Sequence, residues 1–248
     1  MLELGRLYRM DCMEGMRQFP DGYFELAIVD PPYGTGAITY MPGERLSAVG
    51  GHIDRYEATI ATFGAATGIR GNSVLKVEHG RGGSRTIGGF GDHNEAPPPA
   101  YFKELFRVSR NQLIFGGNYF FLPPSRGFAV WRKASVPYGF SMAMCEFIWA
   151  SFPSNAVVFE ASAVGRPGER IHPTQKPVKL YGMLLAHYAR PGDKVLDTHA
   201  GSGSCLIACH RAGHPFVGFE IDKDYHAAAT ERLEKERRQM ALADEERE

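Results

Sequence analysis

Apolar and polar positions along the chain fall into two alternating patterns. Short, nearly unbroken apolar runs read as strands: FELAIVD (24–30), QLIFGG (112–117), GFAVWRK (127–133), CEFIWASF (145–152), KVLD (194–197) and PFVGFEI (215–221). Runs of this kind suit a sheet covered on both faces. Between them stand segments with a helical period. PPPAYFKELFRVSR (97–110) opens on prolines, which the first turn of a helix tolerates. In KPVKLYGMLLAHYARPGD (176–193), Tyr181, Leu184, Leu185 and Tyr188 share one face and Pro191-Gly192 stops the helix. GSCLIACHRAG (203–213) and KDYHAAATERLEKERRQM (223–240) complete the set. Strands alternating with helices predict an α/β fold with a mostly parallel sheet. No internal repeat is visible.

One stretch breaks the pattern. Residues 34–90 hold thirteen glycines, with six Lys or Arg against four Asp or Glu. This reads as a Gly-rich, mildly basic insertion in a single 1–248 domain, and a loop of this length is usually functional or disordered. Residues 152–171 form a second, shorter variable segment.

Composition narrows the class only a little. The 248 residues carry 28 basic and 28 acidic side chains, so net charge neither marks nor excludes a nucleic-acid binder. Four cysteines, Cys12, Cys145, Cys205 and Cys209, include no C-x-x-C pair, and no secretory signal is read. Reduced thiols and a cytoplasmic, nucleoid-associated location in a bacterial or phage setting are expected. No apolar run approaches a membrane span. The spacing of Cys205, Cys209 and His210 is not a usual zinc spacing, and no metal is expected.

Two stretches carry chemistry. The first, VLDTHAGSGSCLIA (195–208), runs from strand to helix through Gly201 and Gly203, where the backbone turns tightly and approaches a ligand. Glu220 ends the next strand, 23 residues beyond Asp197, where an acid is suited to holding both hydroxyls of a ribose. The dinucleotide fingerprint fails, because Leu206 stands where its third glycine is due, and no G-K-[ST] follows. A nucleoside cofactor without a pyrophosphate, S-adenosyl-L-methionine, fits better. The second stretch, Asp30-Pro31-Pro32-Tyr33, places a carboxylate, two stiff positions and an aromatic ring at the end of a buried strand.

DPPY (30–33), HPTQKP (172–177), LDTHAGSGS (196–204) and GFEID (218–222) occur in that order. Together they resemble the amino-methylating DNA methyltransferases of the β arrangement, in which the catalytic motif precedes the cofactor motif. YFKELFRVSRNQLIFGGNYF (101–120) is similar to phage-type and orphan members. The resemblance covers nearly everything outside residues 34–90. It implies the S-adenosylmethionine-dependent methyltransferase fold with a circularly permuted motif order and a DNA-recognition insertion.

The same resemblance assigns roles residue by residue. Asp11 and Cys12 match the segment at the cofactor's adenine, Glu220 the ribose acid, and Asp197, Gly201, Ser202 and Gly203 the loop under the methionine part. Thr174, Gln175 and Lys176 match the segment closing over the methionine end. His199 replaces a phenylalanine common in the family and is expected to pack beside the cofactor. Asp30 and the Pro31 carbonyl would accept the two N–H groups of the target amine, localising its lone pair, while Tyr33 stacks on the flipped base. An aspartate before the prolines goes with adenine N6 in double-stranded DNA, and cytosine N4 is the alternative. C5 methylation needs a cysteine nucleophile, usually in Pro-Cys, which is absent. An RNA or protein amino-methyltransferase and a catalytically dead DNA-binding protein are the rival classes. A homodimer is expected, as an orphan enzyme or as half of a restriction-modification pair.

Overall fold

The computed structural model describes residues 1–34, 95–138, 143–163 and 170–245. The insertion reading for 34–90 therefore lies, but for its first residue, outside the described residues, as does 164–169 of the second variable segment.

Among the described residues, eight strands and five α-helices follow one another along the chain: β1 (Arg6–Arg9), α1 (Cys12–Met16), β2 (Phe24–Val29), α2 (Pro99–Val108), β3 (Ser109–Phe115), β4 (Phe128–Lys133), β5 (Cys145–Ala150), β6 (Val157–Ala161), α3 (Val178–Tyr188), β7 (Val195–Asp197), α4 (Ser204–Arg211), β8 (Phe216–Glu220) and α5 (Lys223–Glu245). They build one sheet in the order β1-β8-β7-β2-β3-β5-β4-β6. Every pairing among these strands is parallel except those that β5 makes with β3 and β4. The strand runs read from the apolar pattern are all present. The short β1, with its polar ends, and α1 carried no such pattern. The edge strand β6 falls inside the 152–171 segment, so that part of it belongs to the sheet.

The central strand shows why the sequence folds this way. β2 is buried from Leu26 to Val29 and lies between β7 and β3. Leu26 and Ile28 point into a core shared with Leu180, Leu184 and Leu206 from α3 and α4. Ala27 and Val29 point into the opposite core, with Met16 of α1 and Tyr101 and Leu105 of α2. Helices therefore cover both faces, which is why β2 is a continuous apolar run. Its one charged residue, Glu25, pairs with Lys194 at 2.8 Å.

The topology also fixes where a site forms. From β7 the chain passes through α4 to β8 on one side. From β2 it passes through α2 to β3 on the other. Strand order thus reverses between β7 and β2, which are hydrogen-bonded neighbours in register Leu26↔Val195 and Ala27↔Leu196. The carboxyl ends of strands flanking such a switch point form a natural crevice. Asp197 ends β7, and Asp30 follows β2 directly.

Candidate active site

The loop after β7 is held by its own backbone and by Glu220. Gly203, in the left-handed conformation at φ +71°, is the N-cap of α4 and donates to the Ala200 carbonyl at 2.7 Å. Ala200 N–H reaches the Phe219 carbonyl at 2.9 Å, tying the loop to β8. Glu220 accepts the Gly201 N–H at 2.8 Å on one oxygen and the Asp222 N–H at 2.9 Å on the other. The missing third glycine has a structural answer. Leu206 packs toward β8, and a Cβ on Gly218 would lie 2.6 Å from its Cδ1. Close approach of helix and strand is thus provided by a glycine on the strand.

Three carboxylates gather at this edge of the sheet. Asp197 is buried and accepts the His199 N–H at 3.2 Å. Burial first, and then the negative charges of Asp30 and Glu220, push its carboxyl up to about 7. Burial likewise raises Glu220, though the backbone N–H groups it accepts oppose the shift. His199 sits edge-on to Tyr101, 5.4 Å between ring centroids, with Nδ1 2.9 Å from the Thr198 hydroxyl. Burial lowers it to about 4, so it is a neutral packing group at neutral pH. Tyr101 and Thr198 share a hydrogen bond of 2.6 Å beneath it. Neither residue stood out in the sequence.

Asp11 and Cys12 follow β1, whose Arg9 pairs in register with Glu220. One Asp11 oxygen caps α1, accepting from Met13 N–H at 2.8 Å and Glu14 N–H at 3.2 Å. This capping duty was not part of the sequence reading. Burial, reinforced by Asp11, pushes the Cys12 thiol up to about 12, so it behaves as a small apolar residue. Ser202 turns inward, its hydroxyl 3.0 Å from Ser204.

Around Asp30 the side chains are densely connected. Tyr33 donates its hydroxyl to Asp30 Oδ1 at 2.8 Å. Burial, then the Asp30 charge, raises that phenol, which stays a donor. The Tyr33 ring stacks on Tyr119, 4.9 Å and 15° apart, with Phe120 edge-on at 6.1 Å. Gly116, at φ +64°, makes room: a Cβ there would lie 2.3 Å from Tyr33 Cε1. Pro31 is buried and anchors the turn.

The TQK segment divides. Gln175 Oε1 accepts the Ile171 N–H at 3.0 Å, and Thr174 Oγ1 lies 3.1 Å from His172 Nδ1. The His172 ring rests on Tyr225, 4.3 Å between centroids, and lies against Gly201, so this loop borders the glycine turn. Lys176 behaves differently. Its ammonium binds Asp30 Oδ2 directly and lies 3.4 Å from Glu146 Oε2, while Lys133 pairs with Glu146 Oε1 at 2.7 Å. Sequence reasoning missed Glu146 and Lys133. Glu146 is a lone acid in an apolar run and Lys133 follows Arg132 at the end of β4, so neither shows its partner in the sequence. The register Trp131↔Glu146 places Lys133 and Glu146 diagonally on one face. Among the described residues no group of three or more His, Cys, Asp or Glu is arranged to hold a metal, and no helix is long and apolar enough to cross a membrane.

Comparison with known proteins agrees with this geometry. A DNA methylase family model, N6_N4_Mtase, matches residues 143–231, which hold the TQK segment, the glycine loop and Glu220. YubD of Escherichia coli (strain K12), a methylase by its name, is 26% identical over 260 residues, covering 96% of this chain and 93% of its own length. The type II methyltransferase M.HpaI of Haemophilus parainfluenzae is 36% identical over 84 residues, 34% of this chain and 27% of that protein. Among solved structures, the PvuII DNA methyltransferase, named as cytosine-N4-specific, aligns with TM-score 0.55 at 12% identity over 94% of this chain and 93% of that one. A DNA modification methylase by name from Thermus thermophilus, solved with S-adenosyl-L-methionine, aligns with TM-score 0.50 at 20% identity, covering 93% and 95%. The eight-stranded sheet is that of the methyltransferase fold. The family model over residues 143–231 and a methylase relative aligned along nearly the whole chain make this chain similar to the amino-DNA methyltransferases.

Proposed function

We propose that the protein transfers a methyl group from S-adenosyl-L-methionine to the N6 amine of adenine in double-stranded DNA. The observation that carries this reading is the pairing of β2 with β7, which brings the Asp30 turn and the glycine loop to one edge of the sheet at its switch point.

The donor set suits the cofactor. Burial, with the charges of Asp30 and Glu220 adding to it, raises Asp197, and a sulfonium with its ammonium would favour the ionised carboxylate. Glu220, between two backbone donors, keeps lone pairs for ribose hydroxyls. Asp11 and Cys12 border the adenine end, Asp197, Gly201 and Gly203 the methionine part, and Thr174 and Gln175 its far end. When bound, the cofactor supplies an electrophilic methyl group on a positively charged sulfur.

Every other step falls to the chain's own residues. The target base leaves the duplex at a cost of a few kcal/mol. Tyr33 offers its ring face, and aromatic stacking returns about 1–3 kcal/mol. Asp30 and the Pro31 carbonyl accept the two amine N–H groups, so the lone pair localises and points at the methyl. The N–CH3 bond forms as the S–CH3 bond breaks, with its electron pair returning to sulfur. The methylated amine then passes a proton to solvent water. Asp30 holds positive charge where it develops, so orientation and electrostatics dominate.

The test is methylation of genomic DNA by purified protein, with mass spectrometry of the digested product and modified-base sequencing. N6-methyladenine at a defined site is expected. N4-methylcytosine as the main product would transfer the assignment to that base, and no DNA product would overturn it. We further propose that residues 34–90 contact DNA and that the protein acts as a homodimer. Replacing 38–88 with a Gly/Ser linker should abolish site-specific transfer but spare cofactor binding, and light scattering should give twice the monomer mass.

A further inference from the structure

The ammonium of Lys176 lies between two carboxylates. It is bonded to Asp30 Oδ2 and stands 3.4 Å from Glu146 Oε2. Glu146 Oε1 is taken by Lys133 at 2.7 Å, but Oε2 is buried and receives no hydrogen bond from the described residues. A buried carboxylate oxygen without a donor is costly, so this atom calls for a use. Meanwhile both oxygens of Asp30 are engaged, one by Tyr33 and one by Lys176. The Lys176 side chain is 5% exposed, with its ammonium 4.6 Å from the Phe115 ring centroid, so it has few other places to go.

This arrangement conflicts with methyl transfer if it stays fixed. Positive charge builds on the target amine as the methyl arrives. A lysine held on the same carboxylate would repel that charge and compete for the oxygen. We propose that Glu146 is a positioning residue that receives the Lys176 ammonium when the target amine docks on Asp30. The shift closes a 3.4 Å contact to a charge-assisted hydrogen bond of about 2.8 Å. It frees Asp30 Oδ2 and satisfies Glu146 Oε2. Lys133 keeps Glu146 ionised and aimed; although burial opposes it, Lys176 and Lys133 together hold the Glu146 carboxyl below its ordinary value. The inference rests on the reading of Asp30 as the group that meets the amine. It moves the Lys176 charge from the cofactor's methionine end to the target base.

The test is a kinetic cycle on the full chain. Glu146→Gln keeps the shape and weakens the receiving oxygen. It should lower kcat about tenfold or more, with Kd for S-adenosyl-L-methionine by calorimetry within twofold of wild type. Glu146→Asp, which keeps the charge, should recover kcat to within about threefold. In a Lys176→Met background, Glu146→Gln should change kcat less than twofold. If Glu146→Gln is unstable, Glu146→Gln with Lys133→Gln, which removes one charge of each sign, carries the same expectation. A wild-type kcat for Glu146→Gln, or an equal loss in both backgrounds, overturns the proposal. A tenfold loss of cofactor affinity in Lys176→Met also overturns it and returns the lysine to the methionine end. Asp30→Ala separates the two readings: if it is inactive while Glu146→Gln is normal, only this inference fails. If Asp30→Ala is active, the reading beneath it fails.

Discussion

Asp197→Asn offers a measurement in which stability and binding should move in opposite directions. Asp197 is 3% exposed and its carboxyl is raised from 3.8 to about 7 by burial, with Asp30 and Glu220 adding to the effect. Its folded-state value lies above its unfolded value. The folded state therefore binds its proton more tightly, and the stability gained is full below pH 3.8 and lost as pH rises to about 7. Roughly three pH units at 1.36 kcal/mol each is about 4 kcal/mol. From pH 5 to 8, where only the upper part of that window is crossed, about 2–3 kcal/mol should be lost. Asparagine keeps the shape and the oxygen that accepts the His199 N–H, and it never ionises. Urea unfolding of wild type and variant at pH 5 and pH 8, without cofactor, gives the comparison. The variant should gain about 2–3 kcal/mol on the wild type between those values. His199, lowered to about 4, contributes the opposite slope, with stability lost as pH falls from 6.5 toward 4, but it contributes it to both proteins and cancels in the difference. Adding S-adenosyl-L-methionine should reverse the order at pH 8, because the cation stabilises only the ionised carboxylate. Parallel pH profiles for the two proteins would refute the buried, repelled Asp197 on which the fit to a cationic cofactor rests.

Asp30→Ala should remove methyl transfer and leave cofactor affinity within a few-fold of wild type, read by calorimetry and a DNA methylation assay. Glu220→Ala should weaken cofactor binding by about 1.5–3 kcal/mol, roughly 10- to 150-fold, with a smaller effect on kcat at saturating cofactor; unchanged affinity would remove it from the ribose. Gly116→Ala, which forces a Cβ against Tyr33 at a left-handed position, should displace that ring and lower transfer at least tenfold while cofactor binding persists. Cys145, the one exposed thiol, should be alkylated by iodoacetamide at pH 8 far faster than Cys12, Cys205 or Cys209, as peptide mass mapping will show.

The fold was legible wherever burial on two faces left an apolar run, and weakly legible elsewhere. β2 and β8 announce themselves because each is buried on both sides. β1 is four residues with polar ends, RLYR, and no single-sequence pattern separates it from a loop. α1 is only five residues long and is defined by the Asp11 cap more than by periodicity. β6 was hidden because an edge strand buries only alternate residues, here Phe159 and Ala161. The site divides in the same way. Asp30, Asp197 and Glu220 stood out because each sits at a strand end beside a turn, and Gly203 because it opens a helix. Tyr119, Glu146 and Lys133 could not, because their roles arise from register across β4 and β5 and from a ring stacked across two loops.

That division follows from the chemistry. The glycine turn and its acid are local in sequence: one βαβ unit holds the loop, the helix start and Glu220, 23 residues beyond Asp197, whereas Asp11 and the TQK segment come from elsewhere. The surroundings of Asp30 are assembled from afar. Asp30 meets Lys176, 146 positions away, through β2 at the centre of the sheet, and Lys176 in turn meets Glu146 on the antiparallel strand β5. Reversing β5 is what makes this possible. An antiparallel neighbour of β3 starts where β3 ends, so Glu146, near the start of β5, lies at the same sheet edge as the turn after β2. A parallel strand at that place would carry its second residue to the opposite edge. The strand that breaks the parallel rule thus delivers the carboxylate that completes the charge network around Asp30.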